Sequence, residues 1–157
     1  METNKLLALA QHLDIPYIED DNETLYFGAT QADYDVYVDL NEDVTPLDVS
    51  EWIVEQDGYI DFENEVEVTD DLYTYGNERY LILDESEAEN AWEESIDSFI
   101  DACILSGIPD QYHNYFDREA FAKDCSYDGR GSQLATYDGI EIEQTVNACD
   151  YYLYRTN

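Results

Sequence analysis

"YIDFENEVEVTDDLYTYGNERYLILD", residues 59–84, sets carboxylates at every second position early on: Asp61, Glu63, Glu65 and Glu67. In a strand, side chains two apart point to the same face, about 6.8 Å from one another. The stretch is therefore expected to be an alternating, half-solvated strand carrying a row of acids, with Asp70 and Asp71 following it. "RYLILD" at its end reads as a more buried strand. Like charges on one face of a sheet repel, so the row needs an explanation.

The neighbouring segments repeat the theme. "DYDVYVDL", residues 33–40, alternates cleanly. As a strand it places Asp33, Asp35, Tyr37 and Asp39 on one face and Tyr34, Val36, Val38 and Leu40 on the other. "TLYFG" (24–28) and "DYYLYRT" (150–156) read as further strands. Helices are expected over 3–13, capped by Thr3 or Asn4, and over "TPLDVSEWIVEQDG" (45–58). In the latter Thr45 is the N-cap, Pro46 sits at N1 and Gly58 is the stop.

The longest helix is expected over 85–106, "ESEAENAWEESIDSFIDACILS". Ala88, Trp92, Ile96, Phe99, Ile100, Cys103 and Ile104 recur at spacings of three and four and share a face. Glu87, Glu94, Asp97 and Asp101 lie on the other side and form a third acidic row. "DREAFAKDC" (117–125) reads as a shorter helix and "DGRGSQLATYDG" (128–139) as a Gly-rich loop. The order predicts an α+β fold, with small mixed or antiparallel sheets packed against three to four helices. Residues 1–157 are expected to form a single compact unit, or an acidic strand-rich lobe (1–83) followed by a helical lobe (84–157).

Charge sets this chain apart. Its 157 residues hold 39 Asp and Glu against 6 Lys and Arg, a net charge of −33. Residues 1–101 hold 30 acids and two bases, and no Lys or Arg lies between Lys5 and Arg79. Such charge at low hydropathy can signal disorder. The regular patterns of Tyr, Phe, Ile and Val, with 44% hydrophobic residues, argue for a core. A compact chain of this length spans roughly 40 Å. Duplex DNA of that length carries roughly 23 charges, fewer than this protein.

The charge and the motifs exclude several classes. An anionic body repels nucleic acid and anionic lipid, and no apolar stretch approaches membrane-spanning length, so no membrane and no direct nucleic-acid contact are expected. Cys103, Cys125 and Cys149 form no CxxC pair, which supports neither a zinc site nor a disulfide framework and suits a reducing cytoplasm. The N-terminus lacks the apolar run of a signal peptide. From Asp39 the chain begins like an EF-hand, but Val44 stands where Gly is needed and Ser50 where Glu is needed. His12 and His113 read as packing or surface residues. "DGRG" is not a phosphate loop, and the many acids form catalytic-looking pairs by chance. The expectation is no enzyme, no cofactor and no metal.

Phosphates along one DNA strand are roughly 6–7 Å apart, close to the spacing of a same-face carboxylate row. The thirteen acids of the three rows and the adjoining pair (Asp33, Asp35, Asp39, Asp61, Glu63, Glu65, Glu67, Asp70, Asp71, Glu87, Glu94, Asp97 and Asp101) are therefore candidate phosphate mimics. Tyrosines among them would offer arginine-rich partners a stacking surface. Crowded carboxylates also predict stabilisation by salt. They predict raised folded-state pKa values, and hence stabilisation by mild acid.

"YFDREAFAKD", residues 115–124, resembles a segment of ArdA-type antirestriction proteins of the form Tyr-x-Asp-x-Glu-Ala-x-x-x-Asp. The tail "DGRGSQLATYDGIEIE…YYLYRTN" and "RYLILDESEAENAWEE" are similar to phage proteins. With its acidity, the chain resembles the DNA mimics of phages and mobile elements: antirestriction proteins of the Ocr and ArdA kinds and acidic anti-CRISPR proteins. The resemblance implies inhibition without catalysis, in the host cytoplasm. The partner it implies is a basic DNA-binding protein or nuclease complex of the host, a restriction enzyme or CRISPR effector, with a homodimer extending the anionic track. The alternatives are an immunity or antitoxin protein that covers a basic nuclease toxin, and a salt-adapted or enzymatic acidic domain.

Overall fold

In a computed structural model that describes residues 2–20 and 22–157, the chain is an α+β protein with two antiparallel sheets. It divides into two units, one ending at Val66 and one running from Glu67 to Asn157.

The first unit begins with α1 (Thr3–His12), preceded by Glu2 as the N-cap residue. Its residues Lys5 to Ala10 are all buried, as in a helix covered all round. The buried Lys5 ammonium is paired at 3.2 Å with the Glu2 carboxylate, which offsets the cost of burying a charge. A short hairpin follows, β1 (Tyr17–Glu19) against β2 (Leu25–Phe27). Gly28 then takes φ +104°, and a Cβ there would meet the Gly58 carbonyl oxygen at 2.1 Å. Gly58, expected to stop a helix, instead lets two backbones touch.

Two expected strands are helices. Residues 33–40 lie in α2 (Gln31–Leu40). Thr30 caps it: its hydroxyl accepts from the Asp33 amide at 3.2 Å and donates to the Asp33 carboxylate at 2.9 Å. Gln31 donates to Asp35 four residues on, at 2.9 Å. The alternation in "DYDVYVDL" finds no sheet partner, and local capping decides. Residues 61–66 do not form a strand either. Asp61 precedes a single turn, α4 (Phe62–Glu65), that drives Phe62 to full burial. α3 (Pro46–Val54) follows its expected start, with a capping box between Thr45 and Asp48 and Pro at the first turn, but ends before Gly58. Ile18, Tyr26, Ala29, Val49 and Ile53 form one core cluster of this unit, with Tyr34, Val44 and Trp52 against it.

The second unit is built on a five-stranded sheet in the order β3-β4-β5-β7-β6. β3 (Glu67–Thr69), β4 (Leu72–Tyr75) and β5 (Glu78–Asp84) form a meander. β7 (Cys149–Arg155) pairs with β5, Ile82 opposite Leu153, and β6 (Glu141–Val146) closes the edge. β6 is absent from the sequence expectation.

α5 (Glu85–Phe99) starts where β5 stops, as expected, and runs on through a π-helical segment (Ile100–Ile104) and a 3-10 turn (Leu105–Gly107). Ala88, Ile96 and Ile100 are buried, but Phe99 is 40% exposed and stacks at 6.1 Å on Phe121 of α6 (Arg118–Ser126). The expected 128–139 loop contains α7 (Arg130–Leu134), whose Leu134 enters the core formed by Leu83, Ala88, Ala135, Tyr152 and Tyr154. The helical segments thus exceed the three to four expected, because 33–40, 62–65 and 130–134 all fold as helix.

Candidate functional site

The acids of the first two expected rows are dispersed by these corrections. On α2, at about 100° per residue, Asp35 and Asp39 share a face four residues apart while Asp33 lies away from them and hydrogen-bonds the capping Thr30. Glu63 and Glu65 diverge on α4, Asp61 is engaged by the Asn64 side-chain amide at 2.9 Å, and Glu67 alone of that group lies in a strand, paired with Thr74. Asp70 and Asp71 make the β3–β4 hairpin connection, with Asp70 at φ +54°, a conformation Asp tolerates better than most residues. Two-residue spacing is therefore not the geometry of these two expected rows.

Glu85, Glu89, Glu93, Asp97 and Asp101 fall at successive intervals of four along α5 and its π-helical extension. Such i,i+4 residues make an inclined ridge on a helix, each about 6 Å from the next along the axis. The expected rows include Asp97 and Asp101 but miss Glu85, Glu89 and Glu93, although the four-residue interval can be counted in the sequence. Of the other expected members, Glu94 is exposed, and Glu87 closes a capping box: its amide donates to the Asp84 carboxylate at 2.8 Å.

The ridge grips guanidinium groups within the molecule. Arg118 bridges Asp101 at 2.8 Å and Asp97 at 3.3 Å. Arg130, on α7, reaches Glu85 at 2.9 Å, Glu89 at 3.0 Å and Glu141 of β6 at 2.8 Å. Its side chain is only 11% exposed, and the guanidinium lies 4.4 Å over the Tyr152 ring. The Tyr154 hydroxyl donates to Glu141 at 2.6 Å. The segment between the two arginines carries Glu93 and Glu94, both exposed.

Titration follows these contacts. The hydrogen bond from Arg118 holds the Asp101 carboxyl below its ordinary value. Glu85 is lowered first by Tyr152 and then by Arg130. Hydrogen bonding to Glu141, with Glu85 behind it, raises the Arg130 guanidinium. Burial, then the Glu141 hydrogen bond, pushes the Tyr154 hydroxyl up. Asp48 is lowered by the Thr45 amide and hydroxyl. The expectation of raised carboxyl pKa values is overturned at Asp101, where the Arg118 hydrogen bond outweighs burial.

His113 fills a structural place: its Nε2 lies 2.9 Å from the Leu105 carbonyl and 2.7 Å from that of Ile108. Among the described residues no His, Cys, Asp and Glu cluster could hold a metal ion, and no helix is long and apolar enough to cross a membrane. In comparisons with protein-family models, curated proteins and solved structures, nothing matches this chain.

Proposed function

We propose that this protein is a DNA-mimic inhibitor that occupies the basic DNA-binding groove of a host defence nuclease or effector, such as a CRISPR effector or restriction enzyme. The observation that carries this reading is the α5 ridge, five carboxylates at four-residue intervals with guanidinium groups already seated at both ends. Helix residues four apart have Cβ atoms about 5–6 Å from one another, near the separation of successive phosphates along one strand's backbone, roughly 6–7 Å. Arginine and lysine side chains that line a DNA groove would meet the exposed Glu93 and Glu94, between the two seated arginines, as they meet a phosphate backbone.

The net charge of −33 supplies long-range steering toward a cationic cleft. A rigid helix holds one carboxylate geometry and so selects among grooves that all accept flexible DNA. The protein acts by occupancy, with no catalytic step and no cofactor, inside the host cell.

The test is capture of partners from a host lysate followed by challenge with duplex DNA. The reading expects a DNA-binding effector that duplex DNA displaces in a salt-dependent manner. Capture of a single nuclease held at its catalytic face, insensitive to duplex DNA, would replace it with the immunity-protein reading.

A further inference from the structure

The α2–α3 surface of the first unit carries a different kind of feature. None of the ten residues of α2 is buried. Val36 and Leu40, one turn apart on the helix, are 58% and 79% exposed. Beside them a groove of about 280 Å³ opens between α2 and α3. Tyr37 and Trp52 line it as a stacked pair, ring centroids 4.9 Å apart and planes within 13°.

The polar groups of this groove include three that accept. Asp33 contributes a carboxylate. The Asn41 amide nitrogen donates to the Tyr37 carbonyl at 2.8 Å, and that of Gln56 to the Trp52 carbonyl at 2.9 Å. Each amide is thereby oriented with one N–H on backbone and its oxygen left as an acceptor. The groove therefore combines an aliphatic wall, an aromatic pair and hydrogen-bond acceptors.

We infer that this groove receives an arginine side chain of the basic partner, an assignment that rests on the partner being basic. The aliphatic stem lies along Val36 and Leu40, the guanidinium stacks on the aromatic pair, and its N–H groups donate to Asp33 and the two amide oxygens. Charge selects this occupant: residues 1–66 hold 18 acids and one base, Lys5, which is buried against Glu2. A second copy of the same surface is repelled. Nor does a second copy have an arginine to lend, because Arg118, Arg130 and Arg155 are in ion pairs and Arg79 hydrogen-bonds Thr156. Arginine is favoured over lysine because a planar guanidinium stacks and presents several donors at once. DNA has no counterpart of this groove, so it adds a partner preference that a phosphate array alone lacks.

The probe is the peptide acetyl-Gly-Arg-Gly-amide, titrated at millimolar concentration into the ¹⁵N-labelled full chain. Its lysine and citrulline analogues are the comparisons. The arginine peptide is expected to shift the Trp52 indole and the Asn41 and Gln56 side-chain amide signals saturably. The lysine peptide should bind about fivefold or more weakly, and the neutral citrulline peptide should not bind. Leu40→Ser, at a site too exposed to affect folding, should weaken the arginine response severalfold. Asp33→Asn, with folding checked by the dispersion of the spectrum, should do the same.

Equal response to lysine, or shifts spread over the acidic surface without saturation, would overturn the assignment. The titration needs no effector. If it fails while duplex DNA still displaces the captured effector, the groove is lost and the mimic reading stands; the reverse result removes the mimic reading and leaves the groove.

Discussion

Replacing Arg130 by Met tests whether the acidic ridge depends on its internal cation. The Arg130 guanidinium is nearly buried and contacts Glu85, Glu89 and Glu141, whose side chains are 58%, 46% and 30% exposed. Breaking a fully buried ion pair costs about 3–5 kcal/mol, and a fully exposed pair contributes at most about 1 kcal/mol. Half-exposed carboxylates around a nearly buried cation stay near the exposed limit, at about 1 kcal/mol for each of the three. The contact over Tyr152 adds about 0.5–1 kcal/mol. Arg130→Met should therefore lose about 3.5–4 kcal/mol, leaving three carboxylates facing one another. With a urea m-value of roughly 2 kcal/mol/M, the unfolding midpoint falls by roughly 2 M.

Two controls separate charge from packing. Combining Arg130→Met with Glu85→Gln, Glu89→Gln and Glu141→Gln should recover about 1 kcal/mol or more, a coupling read from the mutant cycle. Raising NaCl to about 0.5 M should shrink the loss in the single variant, because screening weakens the uncovered repulsion. A midpoint shift below about 0.25 M, or strict additivity in the cycle, would refute the reasoning.

Gly28→Ala should cost about 3 kcal/mol or more, from strain at positive φ and from collision with the Gly58 carbonyl; a thermal melt indistinguishable from wild type would contradict it. On α5, Glu93→Gln or Glu94→Gln alone should weaken effector binding no more than about fivefold, while neutralising both with Asp97→Asn and Asp101→Asn should weaken it about tenfold or more, as measured by competition with duplex DNA. Raising NaCl from about 20 mM to about 500 mM should raise the wild-type melting temperature by several degrees, and a fall would speak against an exposed acidic surface. Asp48, Glu85 and Asp101 have lowered folded-state pKa values. For Asp101 the cause is the Arg118 hydrogen bond. Stability from these groups is whole above the unfolded carboxyl range, near about pH 4, and is lost as pH falls through the folded values. The stability gap between wild type and Asp101→Asn should therefore close between about pH 5 and about pH 2 in urea melts, and a gap that widened in acid would reverse the assigned sign.

How much of this is legible in the chain depends on where each element gets its energy. α3 can be read from residues 45–48, because Thr45, Pro46 and Asp48 supply its cap and first turn locally. α5 can be read because its buried side, Ala88, Ile96 and Ile100, repeats at helical intervals. The acidic ridge is equally countable at intervals of four, but the two-residue pattern of the neighbouring acids masks it. "DYDVYVDL" satisfies both periods, and only the Thr30–Asp33 cap and the lack of a strand partner make it helix.

By itself, then, the sequence determined the class of fold, the caps of α3, the helical character of α5 and an excess of negative charge. Those follow from local hydrogen bonding, side-chain periodicity and composition, which need no distant residue. The tertiary structure alone decided that β6 joins β7, that Gly28 meets Gly58, and that Arg130 crosses from α7 to gather Glu85, Glu89 and Glu141. Most of these join residues far apart in the chain, and their energy exists only once folding has brought them into contact.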